Sequence, residues 1–382
     1  MTSVEQTLSD LVGIDSVSQR SNAQIADYLT HRCEALGMHV RRLPYTDEFG
    51  IEKNNLIAVA GTKLTDATAV ELALVGHTDT VPYDPAWTDA TTLTEKVGKL
   101  YGRGACDTKA FIAAALTAVE SLDLNKLSRP LALVFTADEE LGLFGAKRLA
   151  GAKALHTRYA IVGEPTSLRP MRAGKGYCLA QVIVHGQEAH SAYPAVGASA
   201  IFRAARLVTQ LENISEQLRA EQHADFDPPY TTLNVGLIRG GTAKNVIPGE
   251  CRFTLEWRQV PGQEPNRVLD LLKLAIEAEK QGDANFSCEI EAGRKDEGFE
   301  TATDSYLVRF LEGLTGRAAG TVAFGTEAPQ MIELGAEAVV LGPGDIRVAH
   351  RTGEFVPIDE LNQCVEILIQ AIWKYCLSVP PA

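Results

Sequence analysis

The strongest constraint on the fold is an interruption in an otherwise regular alternation of helices and strands. From about Gly174 to residue 292, the apolar patterns predict a strand, a helix, two strands, a helix and a strand. In chain order, these elements are Tyr177–Val184, Ala198–Leu218, Thr232–Ile238, Cys251–Arg258, Pro265–Glu279 and Phe286–Glu291. This β-α-β-β-α-β order is typical of a ferredoxin-like unit, which has two helices on one face of a four-stranded antiparallel sheet.

The chain on either side of the interruption alternates between helices and strands. Short apolar segments bounded by Gly, Asp or Pro predict strands at Leu56–Val59, Glu71–Val75, Leu131–Phe135, Tyr159–Val162 and Glu337–Leu341. Helical spacing predicts helices at Val4–Val12, Asn22–Leu36, Lys109–Leu122, Ser305–Leu314 and Ile358–Cys376. Because parallel strands need crossover helices, we expect an α/β domain with a largely parallel sheet. The 382 residues would divide into this domain, residues 1–173 and 293–382, and an inserted domain, residues 174–292.

Composition excludes several classes of partner. The 49 acidic and 36 basic residues give a formal charge of −13, which repels nucleic acid. No apolar run approaches the roughly 20 residues that cross a membrane, and the start, Met1–Glu5, resembles no secretory signal. The seven cysteines are odd in number and form no C-x-x-C pair, so we expect reduced thiols in a cytoplasmic protein.

A histidine and a carboxylate follow one of the predicted strands. His77 and Asp79 lie in Gly76-His77-Thr78-Asp79, directly after Glu71–Val75. Imidazole is the commonest metal ligand, and a nearby carboxylate can hold its second N–H group. His77 is therefore a candidate ligand and Asp79 its orienting partner. An isolated pair of this kind is also typical of a loop histidine beside a helix-capping aspartate.

Carboxylates follow three further strand-like segments. Asp107 comes after Tyr101-Gly102-Arg103-Gly104, Glu139 and Glu140 come after Leu131–Phe135, and Glu164 comes after Tyr159–Val162. Taken one at a time, these residues have ordinary alternatives. Asp107 is also typical of a helix N-cap, Glu139 and Glu140 of solvated surface acids, and Glu164 of a turn carboxylate. Since the carboxyl ends of parallel strands meet at one edge of a sheet, four such segments predict a single site there.

Carboxylates gathered in this way repel one another unless cations balance them. Asp107, Glu140 and Glu164 suit two divalent ions, and His350, in a Gly/Pro-rich loop, would join His77 as a nitrogen ligand. Nitrogen and oxygen ligands without thiolate favour two Zn²⁺ ions per subunit, with Co²⁺ or Mn²⁺ as substitutes. Adjacent residues cannot both point at one metal, so Glu139 remains as the general base that takes a proton from a water.

These residues resemble the dinuclear-zinc aminoacylases, deacylases and exopeptidases, and within them the acetylornithine deacetylase and succinyl-diaminopimelate desuccinylase group. The resemblance spans nearly the whole chain, from His77 to His350. It implies that His77 and Glu164 bind one zinc, that Glu140 and His350 bind the other, and that Asp107 bridges them. It also implies that Glu139 is the catalytic acid/base, that Asp79 orients His77, and that the Asp107–Thr108 peptide is cis.

The inserted segment resembles the lid and dimerisation domain of the same enzymes. His190 matches a histidine that they present to the neighbouring subunit, where it stabilises an oxyanion, so a homodimer through the lid is implied. Asn245 and Arg258 match positions that bind the substrate carboxylate, for which the planar fork of arginine is well suited. From the sequence alone, these three residues are equally typical of a surface histidine, a loop asparagine and a surface arginine.

The expected substrate is a small N-acyl amino acid. Gly325-Thr326-Glu327-Ala328-Pro329 resembles the acetylornithine deacetylases, with Thr326 and Glu327 as candidate substrate-binding residues and Glu327 opposite the δ-ammonium group. The expected reaction therefore converts N²-acetyl-L-ornithine to L-ornithine and acetate. Arg347 and Arg351, which flank His350, keep open a desuccinylase or an acetylcitrulline-type deacylase. A dipeptidase and an inactive metal-binding or assembly protein are the remaining alternatives.

Overall fold

The computed structural model describes residues 3–65 and 68–377. The chain forms two compact units. The larger unit comprises Met1–Arg172, Thr301–Gly320 and Thr326–Ala382, and the smaller unit comprises Ala173–Glu300 and Thr321–Gly325. Met1 and Thr2, which begin the N-terminal segment considered above, lie outside the described residues.

The larger unit combines strands and helices along the whole of its sequence. Its helices are Val4–Gly13, Ala23–Ala35, Lys109–Glu120, Glu139–Gly142, Phe144–Gly151, Tyr306–Thr315, Ala328–Glu333 and Ile358–Ile372, the last continued by a π-helical turn, Trp373–Leu377. Its strands are His39–Thr46, Glu52–Ala60, Ala69–His77, Thr94–Lys96, Lys99–Tyr101, Leu131–Thr136, His156–Val162, Glu337–Val340 and Phe355–Pro357. The strands Met171–Gly174 and Gly320–Val322 each include residues of both units.

The central sheet of the larger unit is parallel in its middle and has antiparallel pairing on both sides. Six consecutive strands of this sheet are, in order, His39–Thr46, Glu52–Ala60, Leu131–Thr136, Ala69–His77, His156–Val162 and Glu337–Val340. The last four strands run parallel, and the first two are added antiparallel. In the register of the two central strands, His77 lies opposite Thr136. The carboxyl ends of these strands therefore meet at one edge.

The helix Lys109–Glu120 lies at the centre of the main hydrophobic core. It packs on the strand Ala69–His77, and the helices Val4–Gly13 and Ile358–Ile372 pack against it. Nearly all of its own side chains, among them Phe111 and several alanines, are buried. Burial of this apolar surface is the main favourable contribution to folding, and it holds the start of the helix rigidly beside the edge of the sheet.

The smaller unit has the strand order of a ferredoxin-like fold. All neighbouring strands of its four-stranded sheet are antiparallel, in the order Thr232–Gly240, Glu250–Arg258, Tyr177–His185 and Ser287–Asp296. The helices Ala200–Leu218 and Arg267–Gly282 cover one face, since alternate residues of the central strands are buried against them. Two short strands, Ala189–His190 and Val246–Ile247, pair outside this sheet, and Phe299–Glu300 completes the unit.

The predicted fold class is confirmed, because the alternation of apolar runs and helical spacing decided the type of each long element. The sequence patterns missed the strand His39–Thr46, whose exposed edge carries Arg41 and Arg42, and the short helices Phe144–Gly151 and Ala328–Glu333. In the described part of the chain, no helix has the length and apolarity that crossing a membrane requires.

Candidate active site

Parallel strand ends bring the predicted ligands together. His77 is the last residue of its strand, Glu139 and Glu140 follow Leu131–Thr136, and Glu164 comes shortly after His156–Val162. Gly163 makes this approach possible, because a Cβ atom there would lie 2.2 Å from the Phe111 ring. The edge of the sheet thus collects four of the predicted side chains by topology alone.

Asp107 reaches the same edge from the loop that precedes the helix Lys109–Glu120. The Asp107–Thr108 peptide is cis, as the resemblance implies. The Thr108 hydroxyl donates to the Gly163 carbonyl at 2.9 Å, which ties this loop to the segment that carries Glu164.

Two groups of possible ligand atoms share Asp107. One group is His77, Asp107 and Glu164, and the other is Asp107, Glu140 and His350; within each group the atoms lie within 4.8 Å of one another. His77 Nε2 lies 3.0 Å from Asp107 Oδ1, and His350 Nε2 lies 3.1 Å from Asp107 Oδ2. His350 Nε2 is also 3.0 Å from Glu140 Oε1. One carboxylate therefore faces both groups, as a bridging ligand must.

The charges of the cluster fit bound cations. Burial, together with the nearby charges of Asp107 and Glu139, raises the pKa of Glu164 well above its usual range. Oε1 of Glu164 is buried and has no hydrogen-bond partner among the described residues. A buried carboxylate is costly unless it is paired or coordinates a metal. The donor set, with oxygen and nitrogen atoms and no thiolate, suits zinc and similar divalent ions.

The two histidines of this cluster differ in solvent exposure. His77 is fully buried, and although burial opposes its charged form, the hydrogen bond and charge of Asp107 raise its pKa. His350 is half-exposed and adopts a left-handed backbone conformation, with φ at 59°. Hydrogen bonds to Asp107 and Glu140 raise the pKa of His350 to about 10.

Asp79 contacts His77 differently from the sequence prediction. His77 Nδ1 lies 3.0 Å from the Asp79 backbone carbonyl oxygen and 3.7 Å from its carboxylate. The carboxylate instead accepts hydrogen bonds from the backbone N–H groups of Glu139, at 3.1 Å, and Glu140, at 3.2 Å. Asp79 thus contacts His77 and also fixes the turn that carries both glutamates.

Glu139 lies among the charges of this cluster. Burial raises its pKa well above the usual range; the charge of His77 opposes this effect, while the charges of Glu140 and Asp107 add to it. A carboxyl group in such an environment retains a proton more readily than an exposed glutamate.

Thr326 and Glu327 lie at the start of the helix Ala328–Glu333 and are buried. The Thr326 hydroxyl accepts a hydrogen bond from the Ala328 N–H group at 3.1 Å. Glu327 accepts a hydrogen bond from the Thr136 hydroxyl through Oε1. Its Oε2 is buried without a partner in the described structure, and burial raises the pKa of Glu327 to about 7.

In the smaller unit, two of the three predicted residues lie close together. His190 pairs with Val246 in a short ladder, and the Ser191 N–H group donates to the Asn245 carbonyl oxygen at 3.0 Å. His190 and Asn245 are both exposed. Arg258 ends the strand Glu250–Arg258, so it lies at the opposite end of the sheet from the loop that carries Asn245. There its guanidinium stacks over the Tyr177 ring and donates to the Ala323 carbonyl at 2.9 Å.

The sequence patterns missed buried charged residues that hold the site in place. Glu354 accepts hydrogen bonds from the backbone of Cys106 and Asp107 and pairs with Arg103. Lys53 pairs with Asp138, directly before Glu139. No local pattern marks them, because their partners are distant in sequence.

The strand-edge carboxylates and histidines on this α/β fold define a metal-dependent hydrolase that acts on amide bonds. The chain belongs to peptidase family M20/M25/M40, whose family model matches residues 73–374. It is 53% identical over 377 residues to an acetylornithine deacetylase from Myxococcus xanthus, with 98% of each chain covered. It is 36% identical to an acetylornithine deacetylase from Proteus mirabilis, with 95% of this chain and 93% of that one covered.

Solved structures of the same family share the fold. A metallo-carboxypeptidase from Sulfolobus solfataricus has a TM-score of 0.77 at 19% identity, covering 98% of this chain and 99% of the other. A tripeptidase from Staphylococcus aureus has a TM-score of 0.76 at 23% identity, covering 97% and 96%. At these identities, the likeness concerns the fold alone.

Proposed function

We propose that this protein removes the acetyl group from N²-acetyl-L-ornithine and releases L-ornithine and acetate. The observation that carries the proposal is the pair of possible metal-ligand groups that share Asp107, with Glu139 directly before Glu140. The names of two relatives that match nearly the whole chain support the choice of substrate.

Two Zn²⁺ ions per subunit are the proposed cofactors, with Co²⁺ or Mn²⁺ as substitutes. His77 and Glu164 would hold one ion, Glu140 and His350 the other, and Asp107 would bridge them. When bound, such a pair polarises an amide carbonyl and lowers the pKa of a water. The unpartnered, buried Oε1 of Glu164 supports a cation at the first position.

Glu139 is the proposed catalytic acid/base. Its carboxylate would take a proton from the attacking water and then give that proton to the leaving amine. The Asp79 carboxylate, through its hydrogen bonds to the backbone of Glu139 and Glu140, would keep the acid/base carboxylate and the neighbouring ligand carboxylate apart.

Four residues are proposed to recognise the substrate. Arg258 and Asn245 are the proposed partners of the α-carboxylate; because they lie at opposite ends of their sheet, one of the two would come from the partner subunit. Thr326 would line the pocket beside Glu327. Glu327 would face the δ-ammonium group of the ornithine side chain. Its buried and unpartnered Oε2 supports this assignment, because a substrate cation would supply the missing partner.

A homodimer through the smaller unit, acting as lid and dimerisation domain, is also proposed. The strand Thr232–Gly240 is an exposed edge of its sheet, and an edge strand can pair with a second copy. Large apolar side chains are exposed on this unit, at Tyr193, Val196, Phe202, Leu237 and Ile238. In the dimer, exposed His190 would act in the partner's active site, where it would stabilise the developing oxyanion.

The proposed location is the cytoplasm. None of the seven cysteines, all of which lie in the described ranges, forms a disulfide, and six of them are buried. Such thiols suit a reducing compartment.

The test is amine release by metal-loaded protein from a matched panel of amides. The panel comprises N²-acetyl-ornithine, N-acetyl-citrulline, N-acetyl-methionine, N-succinyl-diaminopimelate and a dipeptide, each with and without chelator. Chelator-sensitive preference for acetylornithine is the expected result. Preference for the succinyl compound would identify a different substrate and leave the proposed metal chemistry unchanged, whereas turnover of none of them would contradict the proposal.

Arg347 lies beside His350 but pairs with Asp345, which reduces its attraction for an anionic substrate.

A further inference from the structure

Lys53 is a buried lysine that the proposed chemistry does not use. It is 1% exposed and lies near the start of the strand Glu52–Ala60. Burying an ammonium group is costly unless carboxylates or carbonyls pair with it. Its Nζ atom lies 2.7 Å from Asp138 Oδ1 and also donates to the Ser18 carbonyl oxygen. Each of these two contacts leads to the turn that carries Glu139 and Glu140.

The first contact holds Asp138, the residue directly before Glu139. Asp138 is fully buried and adopts a left-handed conformation, with φ at 56° and ψ at 35°. Its second oxygen accepts a hydrogen bond from the Tyr45 hydroxyl at 2.8 Å. Asp138 occupies the N-cap position of the helix Glu139–Gly142, yet its side chain makes no capping hydrogen bond. Lys53 and Tyr45 therefore hold this carboxylate away from the backbone N–H groups from which an N-cap aspartate usually accepts a hydrogen bond.

The second contact leads to Asp79 through Ser18. The Ser18 hydroxyl donates to Asp79 Oδ2 at 2.8 Å, and the Asp79 carboxylate accepts the N–H groups of Glu139 and Glu140. Asp79, two residues beyond the strand Ala69–His77, thus caps the short helix in place of Asp138. Lys53 thus contacts Asp138 directly and is linked to Asp79 through Ser18.

We propose that Lys53 is a positioning residue for Glu139, acting through Asp138 and through Ser18 and Asp79. Without the Lys53 ammonium group, Asp138 would lose its charge partner and turn toward the N–H groups at the start of the helix Glu139–Gly142. Asp79 would then be displaced from the Glu139 and Glu140 N–H groups, and both glutamates would move. The effect should fall on the step that uses Glu139 rather than on substrate binding. The inference rests on the proposed function for the role of Glu139.

The experiment compares Lys53→Met with wild type, both fully loaded with Co²⁺. Methionine keeps most of the length and removes the charge. We expect kcat to fall about 10- to 100-fold, the range for residues that orient a metal site, with KM within about threefold. Hydrogen exchange of the Glu139 amide should speed up by about tenfold or more, since Asp79 has moved and an N-cap side chain at Asp138 accepts only from N–H groups further along the helix. A double variant, Lys53→Met with Asp138→Asn, should recover part of kcat, because position 138 then no longer carries a buried charge without its cation.

Lys175→Met is the matched control. Lys175 is also buried, but its ammonium group donates to the carbonyl oxygens of Pro228, at 2.8 Å, and Tyr230, at 2.7 Å, in the smaller unit. Its removal tests a general loss of stability and should leave kcat and the exchange of both glutamate amides unchanged.

Three results would overturn the inference. They are an unchanged kcat and amide exchange in Lys53→Met, an equal loss in the Lys175 control, or a rise in KM alone. If Lys53→Met does not fold, Tyr45→Phe removes one hydrogen bond to the same Asp138 carboxylate and should give a smaller loss of kcat and faster exchange. Unchanged values in that variant would overturn it too. Amide exchange needs no substrate, so it decides the inference even if wild-type protein turns over nothing in the panel and the proposed function fails.

Discussion

The carboxylate of Glu354 accepts hydrogen bonds from the backbone of Asp107, the residue shared by both ligand groups. Glu354 Oε1 lies 3.0 Å from the Asp107 nitrogen and 2.8 Å from the Cys106 nitrogen. Its other oxygen pairs with the buried guanidinium of Arg103. Glu354 is fully buried, so this contact joins the C-terminal part of the larger unit to the bridging position of the candidate metal site.

Replacing Glu354 by glutamine should weaken metal binding. The change removes the charge that pairs with Arg103 and leaves a buried guanidinium without its partner, which costs about 3–5 kcal/mol of stability. Loss of support for a ligand lowers metal affinity by about 10- to 100-fold. Chemical unfolding and competition with a metal chelator measure these two effects. Glu366→Gln, at an exposed position of the helix Ile358–Ile372, is the control and should change neither. Wild-type metal affinity in Glu354→Gln would contradict the prediction.

Glu327→Gln should reduce the preference for a cationic side chain. If Glu327 faces the substrate ammonium group, removing its charge costs at least about 2 kcal/mol, or roughly 30-fold in kcat/KM for acetylornithine, and little for acetyl-methionine. Burial raises the pKa of Glu327 to about 7. The ionised form binds the cation, so the preference in wild type should grow as the pH rises through 7.

The ratio of kcat/KM for the two acetylated amino acids, measured across this pH range, tests the role of Glu327. Glu333→Gln lies on the same helix at an exposed position and should leave the ratio unchanged. An unchanged ratio in Glu327→Gln would show that another residue selects the substrate.

The order of the long elements was predictable because periodicity is a local property of the sequence. The insert is an example, since the strands Tyr177–His185 and Glu250–Arg258 alternate buried and less buried residues. The strand His39–Thr46 was not predicted because it lies at the edge of the sheet and buries none of its residues fully.

The candidate site was predictable to the extent that it follows strand ends. His77, Glu140 and Glu164 follow apolar strands, so topology alone brings them to one edge. Lys53 and Glu354 were not predictable, because their hydrogen bonds to Asp138 and Asp107 join residues 85 and 247 positions apart. Only the folded chain brings such pairs together.

His190→Ala and Glu139→Ala proteins should complement each other when mixed. If His190 acts in the partner's active site, each homodimer is inactive, but a heterodimer contains one site with both residues. Random reassociation then restores about a quarter of wild-type activity per subunit, since half of the dimers are mixed and each has one intact site. Recovered activity after mixing, with heterodimers quantified by differently tagged subunits, is the measurement. Heterodimers that form without activity would contradict the action of His190 across the dimer.

Activity should fall on the acid side as Glu139 takes up a proton. The residue acts as a base only when ionised, and burial raises its pKa, so the proton is retained at a higher pH than on an exposed glutamate. Lowering the pH therefore converts a growing fraction of the enzyme to a form that cannot accept a proton from water. We expect kcat/KM for acetylornithine to fall in that direction while metal content, measured in parallel, stays constant. Because kcat/KM reports the free enzyme, a flat profile down to the pH at which metal is lost would show that Glu139 is not the base.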